Sequence, residues 1–376
     1  MSIWQHSLHT WRLILADKGA ILLLFVAGIL YSFFYPLPYH YEQVESVPVI
    51  LIDQDHSASS RNLRRLLLAS PNLSIEQISN ESAEIQAALW HGDVMALIII
   101  PSDFHANILA GRPAEVQIAS HGGYLLAGSK ALMSANEAAL TMGAAISLHK
   151  LQSLGLSEAQ AMDTVQPLRV QQRHWFNPQD GYGHAIVPAV MVLIIQQTLL
   201  IGVTLVLGRQ NELSQQPRGH KAYLGMLLTF GCIGLLNTLY FFLVALQLQH
   251  YAQAGPLLHL LLFGLLFSLC IAAFALMLAR AFDKRERGLQ LLLITSVPML
   301  FVSGYSWPAE SLPTVLTYLR WLLPSTAGIH GFVGINQLGA QLSDILPQLL
   351  ALGSLTLLFI SAGLWLYRAD GKNTRL

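Results

Sequence analysis

Three groups of residues in this chain have types and spacings that could do chemistry. The first is GYLLAGSK at 123–130, which approaches the phosphate-cradling pattern G-x-x-x-x-G-K-[ST]. That pattern needs Lys directly after the second Gly and a hydroxyl next, because each reaches a different part of a phosphate–magnesium unit. Here Ser129 precedes Lys130, the order fails, and no ATP hydrolysis by this chain is expected. The second group is the 14 histidines. None stands in H-E-x-x-H or in Cys/His ligand spacing. His6 and His9 lie near the amino terminus, while His56, His91, His105 and His121 are spread over a later polar region, so they read as satisfied or solvated side chains. No G-x-S-x-G elbow occurs, and Cys232 and Cys270 sit inside apolar runs as packing residues. Catalytic residues, cofactors and metals are therefore not expected. The third group is charge in unusual places: Arg209, Glu212 and Arg218 in GRQNELSQQPRGHK (208–221), and Glu310 and Arg320 in SGYSWPAESLPTVLTYLRWLLPSTAGIHG (303–331).

The elements around these residues follow from where charge is missing. Of 376 residues, 53% are hydrophobic and 11% charged, with formal net charge zero, against about 25% charged in a soluble domain. This excludes a disordered chain, a nucleic-acid binder and an ordinary cytosolic enzyme. No Asp, Glu, Lys or Arg falls between Lys18 and Glu42, Asp180 and Arg209, Lys221 and Arg280, Arg287 and Glu310, or Asp344 and Arg368. A helix crossing about 30 Å of hydrocarbon needs roughly 20 mostly apolar residues, and a charge at its centre costs about 2.5–3.5 kcal/mol. HYAQAGP at 250–256 splits the longest gap. Six spans are expected: 19–38 (its apolar core from about 20), 184–207, 222–247, 257–280, 288–304 and 345–367. The first lacks a small-x-small cleavage site and reads as an uncleaved anchor. With both termini inside, 12 of the 21 basic residues, including Arg368, Lys372 and Arg375, fall in short inner segments.

The chain before the first span, residues 1–18, places Ile3, Trp4, Leu8, Trp11 and Leu15 at helical spacing, which predicts an interfacial helix. Residues 39–183 are too long for a loop and read as an extracytoplasmic α/β domain. Its expected strands are 47–53, 73–79, 94–100, 114–120 and 168–176. Helices follow the first three, and a long helix from 124 to 165 stands off as a stalk. The domain carries 14 Asp and Glu against eight Lys and Arg, an ordinary solvated surface. The remainder, 184–376, forms a five-helix membrane domain.

After the fifth span, 304–326 reads as a re-entrant hairpin. Gly304, Pro308, Pro313 and Pro324 break an apolar run, and broken backbone at membrane depth is tolerated only where protein or water satisfies it. A plain outer loop is the alternative. Glu310 and Arg320 would then sit at an exit, with Gly304, Pro308 and Pro313 shaping it. Apart from Arg280 at the end of 257–280, the expected spans hold no Asp, Glu, Lys or Arg, which disfavours a proton-coupled carrier. Sodium held by Gln196, Gln197 or Asn237 stays open, as does a membrane-anchored receptor or assembly factor. Energy from a separate protein docked on the basic inner loops fits better.

The strings VPVILIDQDHSASSRNLRRLL (47–67), ALIIIPSDFHANILAGRPAEVQI (96–118), WFNPQ (175–179), SGYSWPAESLP (303–313) and LLPST (322–326), in this layout, give the whole chain a resemblance. It resembles a type 2 ATP-binding-cassette permease, in the subgroup associated with a periplasmic membrane-fusion adaptor. The resemblance implies an α-helical bacterial inner-membrane permease of six transmembrane helices that exports with a separate ATPase subunit. It implies a second permease, identical or related, beside it, contact with membrane lipid, and that adaptor as a further partner. The family's coupling loop often holds an Arg-Glu-rich segment with a Gly-Thr pair. Here the loop is shorter and lacks Gly-Thr, and Arg209 and Glu212, with Arg218 beyond them, remain as ATPase-coupling candidates.

Overall fold

The structure, a computed structural model, describes residues 2–39, 44–76, 82–168, 170–171, 175–177, 181–215, 217–251, 253–282 and 284–368. Lys372 and Arg375 lie outside the described residues. The chain divides into two compact units, Gln43–Arg173 and a second made of Met1–Glu42 with His174–Leu376.

Helix α1 (Ile3–Leu15) starts at Ser2, whose side chain caps Gln5 N–H while the Gln5 side chain answers to Ser2 N–H. Asp17 ends it and opens α2 (Lys18–Tyr39) by accepting from Gly19 and Ala20 N–H. A wide π-type turn at Leu22–Val26 interrupts α2.

In the Gln43–Arg173 unit, β1 (Val47–Asp53), α3 (Ala58–Leu68), β2 (Leu73–Glu76), α4 (Ser82–His91), β3 (Ala96–Ile100), α5 (Phe104–Leu109) and β4 (Gln117–Ser120) alternate. The sheet order is β2-β1-β3-β4. The first three strands are parallel and β4 is antiparallel to β3. Val47, Val49, Ala96, Ile98 and Ile100 bury one face against Leu63 and Leu67 of α3. Ile50 buries the other against Ala88 of α4, as parallel strands covered on both faces require. Helix α6 (Leu125–Ser153) and α7 (Glu158–Val165) follow, parted at Gly155, which has φ +93°. The expected stalk is corrected in part. Ala131, Ala135, Ala138 and Met142 of α6 belong to the sheet's core, because its small residues form a face that seats on the strands. Gly128 of the phosphate-like string lies inside α6, where a Cβ would come 2.8 Å from the His121 carbonyl oxygen. It serves close packing. The expected strand 168–176 is also corrected, since 168, 170–171 and 175–176 carry none and the rest of it lies outside the described residues. Its polar, turn-rich sequence lacks the apolar run that built the other strands.

The remaining elements are α8 (Tyr182–Glu212), α9 (His220–Leu248, with a π-type turn at Tyr240–Ala245), α10 (Leu257–Ala279), α11 (Arg285–Val302), α12 (Thr314–Leu319), α13 (Pro324–Asn336) and α14 (Leu346–Leu366). Among the described residues five helices are long and apolar enough to cross a membrane: α2, α8, α9, α10 and α14. The expected fifth span corresponds to α11, which has 18 residues and begins Arg-Glu-Arg. Its uncharged remainder is about 22 Å long at 1.5 Å per residue, short of the hydrocarbon thickness. Helix α8 is the axis of the bundle, buried along most of its length. Polar ties join α2 to α9: Asn237 Nδ2 donates to Leu24 O at 2.9 Å, inside the π-type turn, and Ser32 Oγ pairs with Tyr240 OH at 2.9 Å. Asn237 is thus already occupied by backbone.

Candidate functional site

At the carboxyl end of α8 a set of polar contacts gathers three elements. Arg209 Nη1 lies 3.2 Å from Asp17 Oδ2, with side chains 46% and 11% exposed. Asn211 Nδ2 donates to Phe282 O at 2.9 Å, and Arg285 N–H donates to Glu212 Oε1 at 3.2 Å. A negative carboxylate on the first turn of α11 also suits that helix's dipole. The junction of α1 with α2, the end of α8 and the start of α11 are therefore tied together. Close approach makes this work: a Cβ on Gly208 would lie 2.7 Å from Arg285 Cα. Arg218 is exposed on the following loop. Of the three coupling candidates, two are internal braces as well as surface charges.

Helix α1 seats against α9 on the same side. Ser7, Thr10 and Ile14 are buried, and Ser7 Oγ pairs with Thr229 Oγ1 at 2.8 Å. Gly225 admits this approach, since a Cβ there would fall 2.6 Å from His6 Cβ and 2.7 Å from Ile3 O. Loss of solvent around His6 lowers its pKa from the ordinary histidine value, and nearby positive charge, including His9, adds to this. Trp4, Leu8 and Leu15 remain exposed on the other face.

At the opposite end, Gly304 lies against Arg320 and against Ala309, the residue between Pro308 and Glu310. Gly304 has φ +77°, the left-handed region that favours glycine. Arg320 folds back over it, donating from Nη1 to Ser303 O at 3.3 Å, with its guanidinium 5.3 Å from the Trp321 ring centre. His330 Nε2 reaches the same carbonyl at 3.1 Å. Tyr305 OH donates to Ala185 O at 2.6 Å. Pro308 and Pro313 open short helical turns, and Glu310 is exposed.

Sequence reasoning missed α13. It is too short and too rich in small residues to read as a span, yet nearly all of it is buried. The Pro-Ser-Thr start, with Pro at the first turn, was the available signal. It runs antiparallel to α8: Gly328 faces Val192 and Gln337 bonds to His184 O. That register sets Ser325 and Thr326 near the level of Gln196, midway along α8. Gln196 and Gln197 there both direct their amides at Met299 Sδ, at 3.6 and 3.2 Å. Asp17 was also missed, although an acid directly before an apolar run is a helix-cap signal.

Comparison with known proteins agrees with this architecture. Residues 20–365 match the family described as "ABC-2 family transporter protein". Over 324 residues the chain is 24% identical to the "probable multidrug ABC transporter permease YbhS" of Escherichia coli K12, covering 84% of this chain and 82% of that protein. It is 19% identical over 289 residues to the "probable multidrug ABC transporter permease YbhR" of the same strain, covering 75% of each.

Proposed function

Because the chain belongs to the ABC-2 family of transporter proteins, and is thus a membrane permease, we propose that it is the membrane subunit of an ATP-driven exporter whose ATPase is a separate chain docked at the inner face. Both termini lie on the cytoplasmic side of a bacterial inner membrane. A second permease, identical or related, completes the translocation path, and a membrane-fusion adaptor receives the product outside. Six spans are counted in this reading, with α11 as a short fifth span. The segment 304–326 is a re-entrant hairpin that closes the exit, with Gly304, Pro308, Glu310, Pro313 and Arg320 at its mouth. The antiparallel lie of α13 on α8 supports the hairpin. The transported molecule is amphipathic, as charge-free spans suit.

The observation that carries this reading is the tie of Arg209, Asn211 and Glu212 to both Asp17 and the start of α11. A push on this corner reaches α1, α2, α8 and α11 at once. ATPase closure would therefore move α8 against its neighbours as one body.

Two measurements test it. In a chain without Cys232 and Cys270, an impermeant thiol reagent applied to intact spheroplasts should label Arg64→Cys and leave Gln215→Cys unlabelled. Labelling at 215 from outside would overturn the orientation. In the reconstituted complex, Arg209→Glu with Arg218→Glu should cut ATP hydrolysis severalfold. Arg218→Glu alone should leave protein level unchanged, since an exposed substitution shifts stability by about 0.5 kcal/mol or less. Normal hydrolysis by the double variant would place docking elsewhere.

A further inference from the structure

Midway along α8 lie buried polar atoms that the chain leaves unpaired. Gln196 and Gln197 stand at the midpoint of its 31 residues and are 0% and 8% exposed. Ser325 and Thr326, on the first turn of α13, are both 0% exposed. Gln196 Oε1, Gln197 Oε1, Ser325 Oγ and Thr326 Oγ1 have no hydrogen-bond partner among the described residues. The two amides donate only to Met299 Sδ, and a thioether is a weak acceptor. Buried polar groups are as a rule paired, so four unpaired ones at one level point to a shared partner.

Helix contacts gather these atoms in one niche. A Cβ on Gly328 would lie 3.1 Å from Val192 Cγ1. Gln196 is one turn beyond Val192 on α8, and Ser325 is one turn before Gly328 on the antiparallel α13, so both lie on that contact face. His330 of α13 reaches Ser303 O at the end of α11. Thr326 is one turn before His330 and Met299 one turn before Ser303, so Thr326 faces α11 at Met299. The niche is roughly 20 Å from either end of α8 at 1.5 Å per residue, and so inside hydrocarbon about 30 Å thick.

Met299 covers the glutamines from the α11 side. Pro298, directly before it, removes one backbone hydrogen bond from α11, and the unbranched methionine repacks readily. Ile294, Val297 and Phe301 of α11 are exposed, so the cover has room to move.

We infer that this niche binds the uncharged hydrogen-bonding group of an amphipathic molecule, with a primary carboxamide as the fullest match. The two N–H bonds of a carboxamide meet Gln196 Oε1 and Gln197 Oε1. Its carbonyl accepts from the Ser325 and Thr326 hydroxyls. A carboxylate would face the two glutamine oxygens. An ammonium would find acceptors but no counter-charge, since α8, α11 and α13 hold no Asp or Glu besides Glu212 and Glu286 at their inner ends. Either ion also carries the cost of charge in hydrocarbon. As a transported group the carboxamide rests on the exporter reading above; as a bound group it does not.

The test is equilibrium binding of tritiated dodecanamide to the purified full-length chain in nanodiscs, without ATP or the ATPase and with empty nanodiscs subtracted. Dodecylammonium and dodecanoate compete against it. Dodecanamide should bind about tenfold tighter than either, a difference of about 1.4 kcal/mol. Gln196→Leu with Ser325→Ala should abolish that preference. Thr326→Val keeps the side-chain shape and should weaken dodecanamide about threefold. Ser354→Ala, at an exposed hydroxyl of α14, should change nothing. Because the four atoms are unpaired without ligand, the niche variants should keep or raise the melting temperature, which separates a lost site from a lost fold. Radiolytic oxidation of Met299, which depends on water beside its sulfur, should slow in saturating dodecanamide. Equal binding of the three probes, a preference intact in the double variant, or a melting temperature lowered in every niche variant would overturn the assignment. So would Met299 oxidation that dodecanamide leaves unchanged, the mark of a niche that holds water alone. Selective binding without ATP-driven efflux of dodecanamide by the whole complex would leave the niche standing and count against the exporter reading.

Discussion

Gly225→Leu is expected to lift the amino-terminal helix from the bundle and to uncouple ATP hydrolysis, while the spans still insert. A 13-residue helix is marginal on its own in water, so α1 depends on its seat. That seat is narrow. A Cβ at Gly225 would come 2.6 Å from His6 Cβ, 2.7 Å from Ile3 O and 2.9 Å from Ser7 N. Two of these neighbours are backbone atoms and cannot rotate away, so α1 must move as a whole. Its movement would break the Ser7–Thr229 pair and uncover Ile14, which is 0% exposed. Overpacking costs about 1–3 kcal/mol, so trypsin cleavage after Arg12 should quicken by about 10- to 100-fold. Thr229→Val removes only the hydroxyl partner and should cost about 1 kcal/mol. A Gly225→Leu protein that resists cleavage at Arg12 and hydrolyses ATP normally would show that α1 tolerates displacement and has no part in coupling.

Legibility in the sequence followed physical cost. Charge is expensive in hydrocarbon, so gaps between charged residues outlined α8, α9, α10 and α14 to within a few residues, with α8 running five residues past its expected end to carry Arg209 and Glu212. Apolar strand runs such as VPVILID were equally plain, since strands covered on both faces must be apolar throughout. Contacts between distant segments left no such mark. Nothing about Asp17 in isolation says that Arg209 will face it, and Gly225 becomes meaningful only once α1 crosses α9 there. Helix α13 escaped because burial by protein and burial by lipid demand the same apolar residues, and only length separates the two readings.

Arg320→Ala is expected to loosen the segment after α11 and to depress export far more than Glu310→Ala. Both residues are charges of the proposed exit, but their surroundings differ. Arg320 donates to Ser303 O, a carbonyl shared with His330, and lies across Gly304 and Trp321. It closes the turn that follows α11. Hydrogen bonds to charged groups contribute about 1.5–3 kcal/mol, so its loss would let the turn open with a probability raised by roughly 10- to 100-fold. Arg320→Lys keeps the charge but not the planar fork, and should fall between the two. Glu310 is exposed and meets no partner among the described residues, so Glu310→Ala should change export by about twofold or less. The readout is efflux of an amphipathic fluorescent dye from proteoliposomes holding the whole complex, with hydrogen exchange over 303–322 measured on the same samples. Faster exchange in Arg320→Ala with lost efflux fits a guanidinium that holds the exit shut. Normal efflux with unchanged exchange in both charge variants would mean that the turn is held by Gly304, Tyr305 and the prolines without help from Arg320, and that the segment is a connector rather than a gate.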